Sequence, residues 1–225
     1  MIRKCVLTLV FWTGIVCGAG AQETVPGAKL VEAWLESQRD VTSVEVSFRQ
    51  ERKLRTLRRV LAAEGRFWFV APDKFRWEVG KPAKMVALQS GDGKVTVVEP
   101  RKKRAKIYDP EDPEHVEMVH RLGLMKPGFG GGVESFREVF DIRKVTRAEG
   151  SDIWEAELGF KDSKMAVAVM KVVMRVNGKS GDPVEFRLEF RDGTKIGWLF
   201  GGVVKGAEID DHVFRYELEG YELSR

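Results

Sequence analysis

The chain has 225 residues, 43% of them hydrophobic and 32% charged, a balance that places it among globular proteins able to bury a core and excludes a disordered chain. Its 38 basic against 34 acidic residues leave a net charge of +4, too small an excess to argue for a nucleic-acid partner. The 23 glycines and the 10% aromatic content point to many strands and turns.

The first element is an address. Met1 to Lys4 is a short positive start, Cys5 to Val16 is apolar, and Ala19-Gly20-Ala21 has the small-residue pattern of a secretory cleavage site, so residues 1–21 read as a signal peptide removed before Gln22. Both cysteines, Cys5 and Cys17, lie in this leader, and the exported chain can form no disulfide. Lipid attachment at Cys17 fits poorly, with Val16 where a small residue is wanted and Gly14 where a leucine is usual. Residues 22–225 then form a single periplasmic domain, since no linker or internal repeat divides them.

After a turn at Pro26-Gly27, Leu30, Val31, Trp34 and Leu35 recur at helical spacing opposite Lys29, Glu32, Glu36 and Arg39, which predicts an amphipathic helix over 28–40. From Ser43 the period becomes two, with Val44, Val46 and Phe48 against Glu45, Ser47 and Arg49, the pattern of a half-buried strand. Strands are predicted next over 65–70, 75–79, 84–89 and 94–99, separated by turns rich in Gly, Pro and Asp. From Pro110 to Phe140 the alternation is lost. Two helical pieces, over 113–125 and 133–140, flank the glycine-rich Pro127 to Gly132, a linker or a hinge. Strands return over 142–147, 154–160, 165–176, 183–191, 195–203 and 213–218. Val184, Phe186, Leu188 and Phe190 alternate with Glu185, Arg187, Glu189 and Arg191, which predicts one apolar and one fully solvated face. The expected fold is α+β, mostly antiparallel β, in one sheet too long to stay flat and therefore curled.

Enzymatic signatures are missing from this pattern. His115 and His120 stand five apart, off the spacing of a helical metal pair, and His212 is remote. No G-x-S-x-G elbow, phosphate loop or dinucleotide fingerprint is present. The acid pairs Asp109 with Glu111 and Asp210 with Asp211 sit at turns and read as solvated residues. No cofactor, metal or catalytic residue is therefore expected. Two basic clusters, Arg55 to Arg59 and Arg101 to Arg104, lack the interleaved aromatics of a nucleic-acid platform. They read as solvated charge or as attraction to anionic headgroups or an acidic protein patch.

Four pieces in order carry a resemblance: Phe48-Arg49-Gln50, Gly65-Arg66-Phe67-Trp68, Pro72-Asp73-Lys74-Phe75-Arg76-Trp77, and Ser90-Gly91-Asp92-Gly93-Lys94 before a strand ending Glu99-Pro100. Together they resemble the LolA family of periplasmic outer-membrane lipoprotein carriers across essentially the whole exported chain. The resemblance implies a curled incomplete β-barrel, LolA-like, with helices covering its concave face. It further implies an apolar cavity that binds lipoprotein acyl chains, an inner-membrane ABC transporter that supplies them, an outer-membrane receptor that takes them, and a monomeric carrier. The arginine that precedes the proline in that family, thought to latch the lid, is Ala71 here, and the alternation turns Arg76 away from the interior.

The residues themselves suit such a cavity. Val46, Phe48, Trp68, Phe75, Trp77, Val79, Phe186, Leu188, Phe190, Trp198 and Phe200 supply more large apolar side chains than a single short helix covers. Met170 and Met174 add adaptable thioethers, and Leu122, Leu124, Met125 and Phe129 are the candidate lid. The carrier reading leads. A lipid-sensing regulatory or scaffold module on the same fold, or a shuttle for a glycolipid or other apolar product, are its alternatives.

Overall fold

The computed structural model describes residues 26–112, 114–115, 132–147 and 149–224. The leader, the helix expected over 113–125 and the lid residues Leu122, Leu124, Met125 and Phe129 lie outside the described residues. The first helix, α1 (Ala28–Ser37), buries Val31, Trp34 and Leu35, while Leu30 stays exposed. Among the described residues twelve strands follow: β1 (Ser43–Lys53), β2 (Leu61–Val70), β3 (Lys74–Val79), β4 (Met85–Gln89), β5 (Val95–Glu99), β6 (Arg104–Tyr108), β7 (Phe140–Arg147), β8 (Ile153–Phe160), β9 (Val169–Asn177), β10 (Pro183–Phe190), β11 (Lys195–Lys205) and β12 (Glu222–Ser224). Helix α2 (Gly132–Val139) precedes β7, and α3 (Ser163–Ala168) precedes β9.

All the strands join one sheet in the order β12-β6-β5-β4-β3-β2-β1-β11-β10-β9-β8-β7. Pairing is antiparallel throughout except for β12 with β6. The sheet is open and curled, and its concave side holds the helices: Val31, Trp34 and Leu35 of α1 and Phe136 of α2 share one core cluster with inward residues of β8, β9 and β10. The fold class expected from the sequence is the one observed.

Three of the elements that differ from the expectation do so for an evident local reason. The strand expected over 165–176 starts late, because the Asp162 carboxylate accepts a hydrogen bond from the Met165 backbone N–H at 2.9 Å and caps α3, diverting residues 163–168 from the sheet. The strand expected over 213–218 is a strap. Asp211–Phe214 forms a 3-10 turn whose preceding Asp210 accepts from the His212 N–H, and Tyr216, Leu218 and Tyr221 then pack on Val86, Leu88, Val98 and Ala105. Strand β6 has no counterpart in the sequence reading. It begins on the last residue of the basic run, Arg104, after Pro100–Lys102 makes a 3-10 turn and Lys103 takes a left-handed conformation with φ 49°.

Register fixes which residues face inward. Val44, Val46 and Phe48 lie opposite Phe69, Phe67 and Gly65, which in turn face Phe75, Trp77 and Val79. A side chain cannot replace the hydrogen of Gly65, because a Cβ there would overlap the Phe48 ring and the Glu78 carbonyl oxygen. The outer face of β9 to β11 is not fully solvated as its charges suggested. Glu185 is buried, bridging Arg187 and Arg175, and Glu189 meets Arg187 at 3.1 Å and Lys195 at 3.0 Å.

Two outcomes follow. Gly65→Ala should destabilise the protein by about 1–3 kcal/mol in denaturant melts, the cost of forcing volume into a filled core. Glu189 is the second case: burial pushes its carboxyl up, but the hydrogen bonds from Lys195 and Arg187 outweigh this and hold it below the ordinary glutamate value. A lowered folded-state value stabilises above the unfolded one and loses that contribution as pH falls through it. The stability gap between the parent and Glu189→Gln should therefore be full near neutrality and close below roughly pH 4, as read by chemical denaturation across pH.

Candidate functional site

The concave face carries two apolar clusters. One is built on β7 to β10 with α1 and α2, and holds Phe140, Trp154, Leu158, Phe160, Val172, Met174, Phe186 and Leu188. The other is built on β1 to β5 and holds Val46, Phe48, Phe67, Phe69, Phe75 and Val79. Trp198 and Phe200 of β11 pack against both, so the two form one lining.

Aromatic rings run across it in unbroken contact. Phe67 meets Trp77 at 5.4 Å between ring centroids and Phe48 meets it at 4.4 Å. Trp77 stands edge-on to Trp198 at 6.0 Å, Trp198 lies 6.0 Å from Phe186, and Phe186 lies 6.4 Å from Phe140. Phe140 then touches Phe136 at 5.2 Å and Phe160 at 5.1 Å. These spacings are those of favourable edge and offset ring pairs, and they span the sheet from β2 to β7.

One polar atom interrupts the lining. The Trp198 indole Nε1 is buried and has no hydrogen-bond partner among the described residues, whereas Trp34 Nε1 donates to the Gly181 carbonyl at 2.9 Å. A buried donor without an acceptor is costly. At the junction of two apolar clusters it fits the carbonyl of an ester or amide attached to an apolar chain.

Most residues singled out from the sequence meet here. Val46, Phe48, Phe75 and Val79 are buried in the β1 to β5 cluster with Trp77 packed against it. Met174, Phe186 and Leu188 are buried in the other, with Phe190 against it. Two residues do not belong. Trp68 faces the convex side, paired across the strands with Glu45 and Arg76 and lying 5.4 Å beneath the Arg66 guanidinium. Met170 is exposed, because a register shift at Glu189/Phe190 sets Val169 rather than Met170 opposite Phe190. Sequence reasoning missed Phe67, Phe69, Trp154 and Phe140. For the first two the signal was present, since the charged Arg66 shares the parity of Trp68 and assigns Phe67 and Phe69 to the apolar face.

Arg76 is turned outward, as the alternation required. It pairs with Glu78 at 2.6 Å, donates through Nη1 to the carbonyl oxygens of Val213 and Arg215 at 2.9 and 3.0 Å, and stacks on Tyr216 at 5.6 Å. Burial and the hydrogen bond to Tyr221 push the Tyr216 phenol up to about 12. An open cleft of about 690 Å³ near Gly65 is lined by Arg49, Glu64, Arg66, Glu78 and Lys81 beside Phe48 and Pro82. Its charged walls suit water, not an apolar ligand. Among the described residues no group of three or more His, Cys, Asp or Glu side chains is placed to hold a metal ion, and no helix is long and apolar enough to cross a membrane.

Residues 39–217 match the family described as outer membrane lipoprotein carrier protein LolA. The chain is 25% identical to the outer-membrane lipoprotein carrier protein of Chromohalobacter salexigens, over 91% of this chain and 90% of that protein. Among solved structures, an uncharacterized conserved protein from Thermus thermophilus superposes with a TM-score of 0.51 at 10% identity, over 88% of this chain and 99% of the other. A LolA superfamily protein from Nitrosomonas europaea superposes at 0.44 and 10% identity, over 84% and 97%.

The two indoles should respond differently to the same change. Trp34→Phe removes one of the two donors to the Gly181 carbonyl, Lys205 Nζ at 3.1 Å being the other, and should cost about 0.5–1.5 kcal/mol, the worth of one hydrogen bond. Trp198→Phe removes an orphaned donor and should stay within about 1 kcal/mol of the parent or exceed it, both measured by thermal and denaturant unfolding.

Proposed function

Because the chain belongs to the LolA family of outer membrane lipoprotein carrier proteins, we propose that its concave face receives the acyl chains of lipoproteins and carries them through the periplasm from the inner to the outer membrane. The observation that carries this reading is the continuous aromatic lining from Phe67 to Phe140, into which the buried Trp198 Nε1 is set without a partner among the described residues. Apolar walls take the hydrocarbon, and the indole donates to the carbonyl at its head.

The physical need is plain. Burial is worth about 0.8 kcal/mol per methylene, so exposing one acyl chain of roughly sixteen carbons costs on the order of 12 kcal/mol. A carrier offsets most of this cost and not more, or it would never release its load. An ABC transporter at the inner membrane and a receptor at the outer one are the partners this reading supplies. With Ala71 at the family's arginine position and Arg76 committed to the C-terminal strap, retention rests on apolar burial without an arginine latch. No catalytic step enters.

Protein purified from the periplasm and examined by native mass spectrometry should carry acylated cargo. Phe200→Glu, a charge on the concave face, should lose it while the circular dichroism stays native, and Trp68→Gln, on the convex face, should keep it. Cargo retained by Phe200→Glu, or no acyl chain on the parent, would overturn the reading.

A further inference from the structure

The register of the sheet gathers several connections at one end. Arg52 pairs with Leu61, Lys53 with Lys195, Glu189 with Lys195 and Phe190 with Val169. The β1–β2 hairpin, the β10–β11 turn and the α3 connection therefore all leave the sheet on the same rim. They also touch. Arg191 Nε donates to the Val167 carbonyl at 2.9 Å, tying the turn to α3, and the Arg55 side chain lies against Gly193, tying the hairpin to the turn.

Two kinds of side chain are concentrated there. Among the described residues eight large apolar side chains are exposed, and four of them, Leu57, Val60, Val167 and Met170, stand on this rim. Around them the hairpin carries Arg52, Lys53, Arg55, Arg58 and Arg59 with no carboxylate between Glu51 and Glu64. None of these five cations makes an ion pair among the described residues. The nearby acids are engaged locally: Asp162 caps α3, and Asp192, which Arg55 also faces, accepts from the Thr194 N–H at 2.8 Å. The second basic run, at the β5–β6 turn, leaves the sheet at the same end, since Glu99 pairs with Arg104 and Val98 with Val86.

Exposed apolar side chains ringed by unpaired cations match a surface that is anionic outside and apolar just beneath. We propose that this rim docks on an anionic phospholipid bilayer, with Leu57, Val60 and Val167 entering below the headgroups and the hairpin arginines contacting phosphates. An acidic protein patch would satisfy the cations but leave the protruding apolar side chains in water. The rim is continuous with the concave interior, because Met165 and Ala166 of α3 and Phe190 of β10 pack against its core cluster. Docking would bring that interior to the membrane, but it does not rest on the acyl-chain reading.

Flotation with vesicles of phosphatidylglycerol and phosphatidylcholine, against phosphatidylcholine alone, tests it on the whole protein. The parent should bind the anionic vesicles, less so at high salt. Arg55→Ala/Arg58→Ala/Arg59→Ala should weaken binding on the order of a hundredfold, about fivefold for each charge near the surface. Leu57→Asp should weaken it as well, and Lys179→Glu, at the opposite end of the sheet, should leave it nearly unchanged. Equal binding to both vesicle types, or a loss with Lys179→Glu as large as with the arginine variant, overturns the proposal. So does binding to polyglutamate as tight as to anionic vesicles and indifferent to Leu57→Asp, which would instead mark an acidic protein partner.

Discussion

The pairing of β1 with β11 is the joint on which the architecture depends. It brings residues 44–53 against residues 195–205 and so fuses the meander of β2 to β6 with the meander of β7 to β10 into one sheet. Phe48 sits opposite Phe200 and Gln50 opposite Trp198 in this register. Because Trp198 and Phe200 pack on both apolar clusters, the joint is at once a backbone ladder and the place where the lining becomes continuous. Its long sequence separation makes it costly to close in folding terms, and the large apolar side chains at the seam supply the compensating burial.

Period-two strands were legible wherever one face is apolar and the other charged. Phe186, Leu188 and the Val44 to Phe48 run needed nothing beyond alternation. The same rule failed where something breaks the parity. At Met170 a register shift turns the side chain outward, and single-sequence alternation has no means of counting an extra residue. At Trp68 the difficulty was that large apolar residues stand on both parities of β2, so only the charged Glu64 and Arg66 distinguish its faces. Strand β6 escaped notice because a basic run and a turn obscure its short alternation. The stretch from Val86 to Gln89 reads as a continuous buried run for a structural reason: the C-terminal strap covers Val86 and Leu88 on its outer face, while Ala87 on the concave face packs in the β1 to β5 cluster. The aromatic chain through Trp77 and Trp198 was partly visible as a list of large side chains, but its continuity is a property of register across strands far apart in sequence.

The concave and convex faces hold their residues by different means. Inside, ring contacts and apolar burial dominate, and these are non-directional and tolerant of rearrangement. Outside, Arg76 clamps the strap through two carbonyls and an ion pair, while Glu185, Arg187, Glu189 and Lys195 form a laddered network across β10 and β11. Directional bonds therefore tie the strands together on the back of the sheet, while its front is held by apolar burial.

The two strands that end the sheet bear on a hazard of every open β structure, the recruitment of a second molecule along an unpaired ladder. On one side β12 is only three residues long, Glu222–Ser224, too brief to template another strand. On the other, β7 carries Asp141, Arg143, Lys144 and Arg147 and is kinked by a register shift between Ile142 and Lys144. Short length at one border and charge with a kink at the other guard the edges of a curled, unclosed ribbon against edge-to-edge pairing without its having to close into a full cylinder.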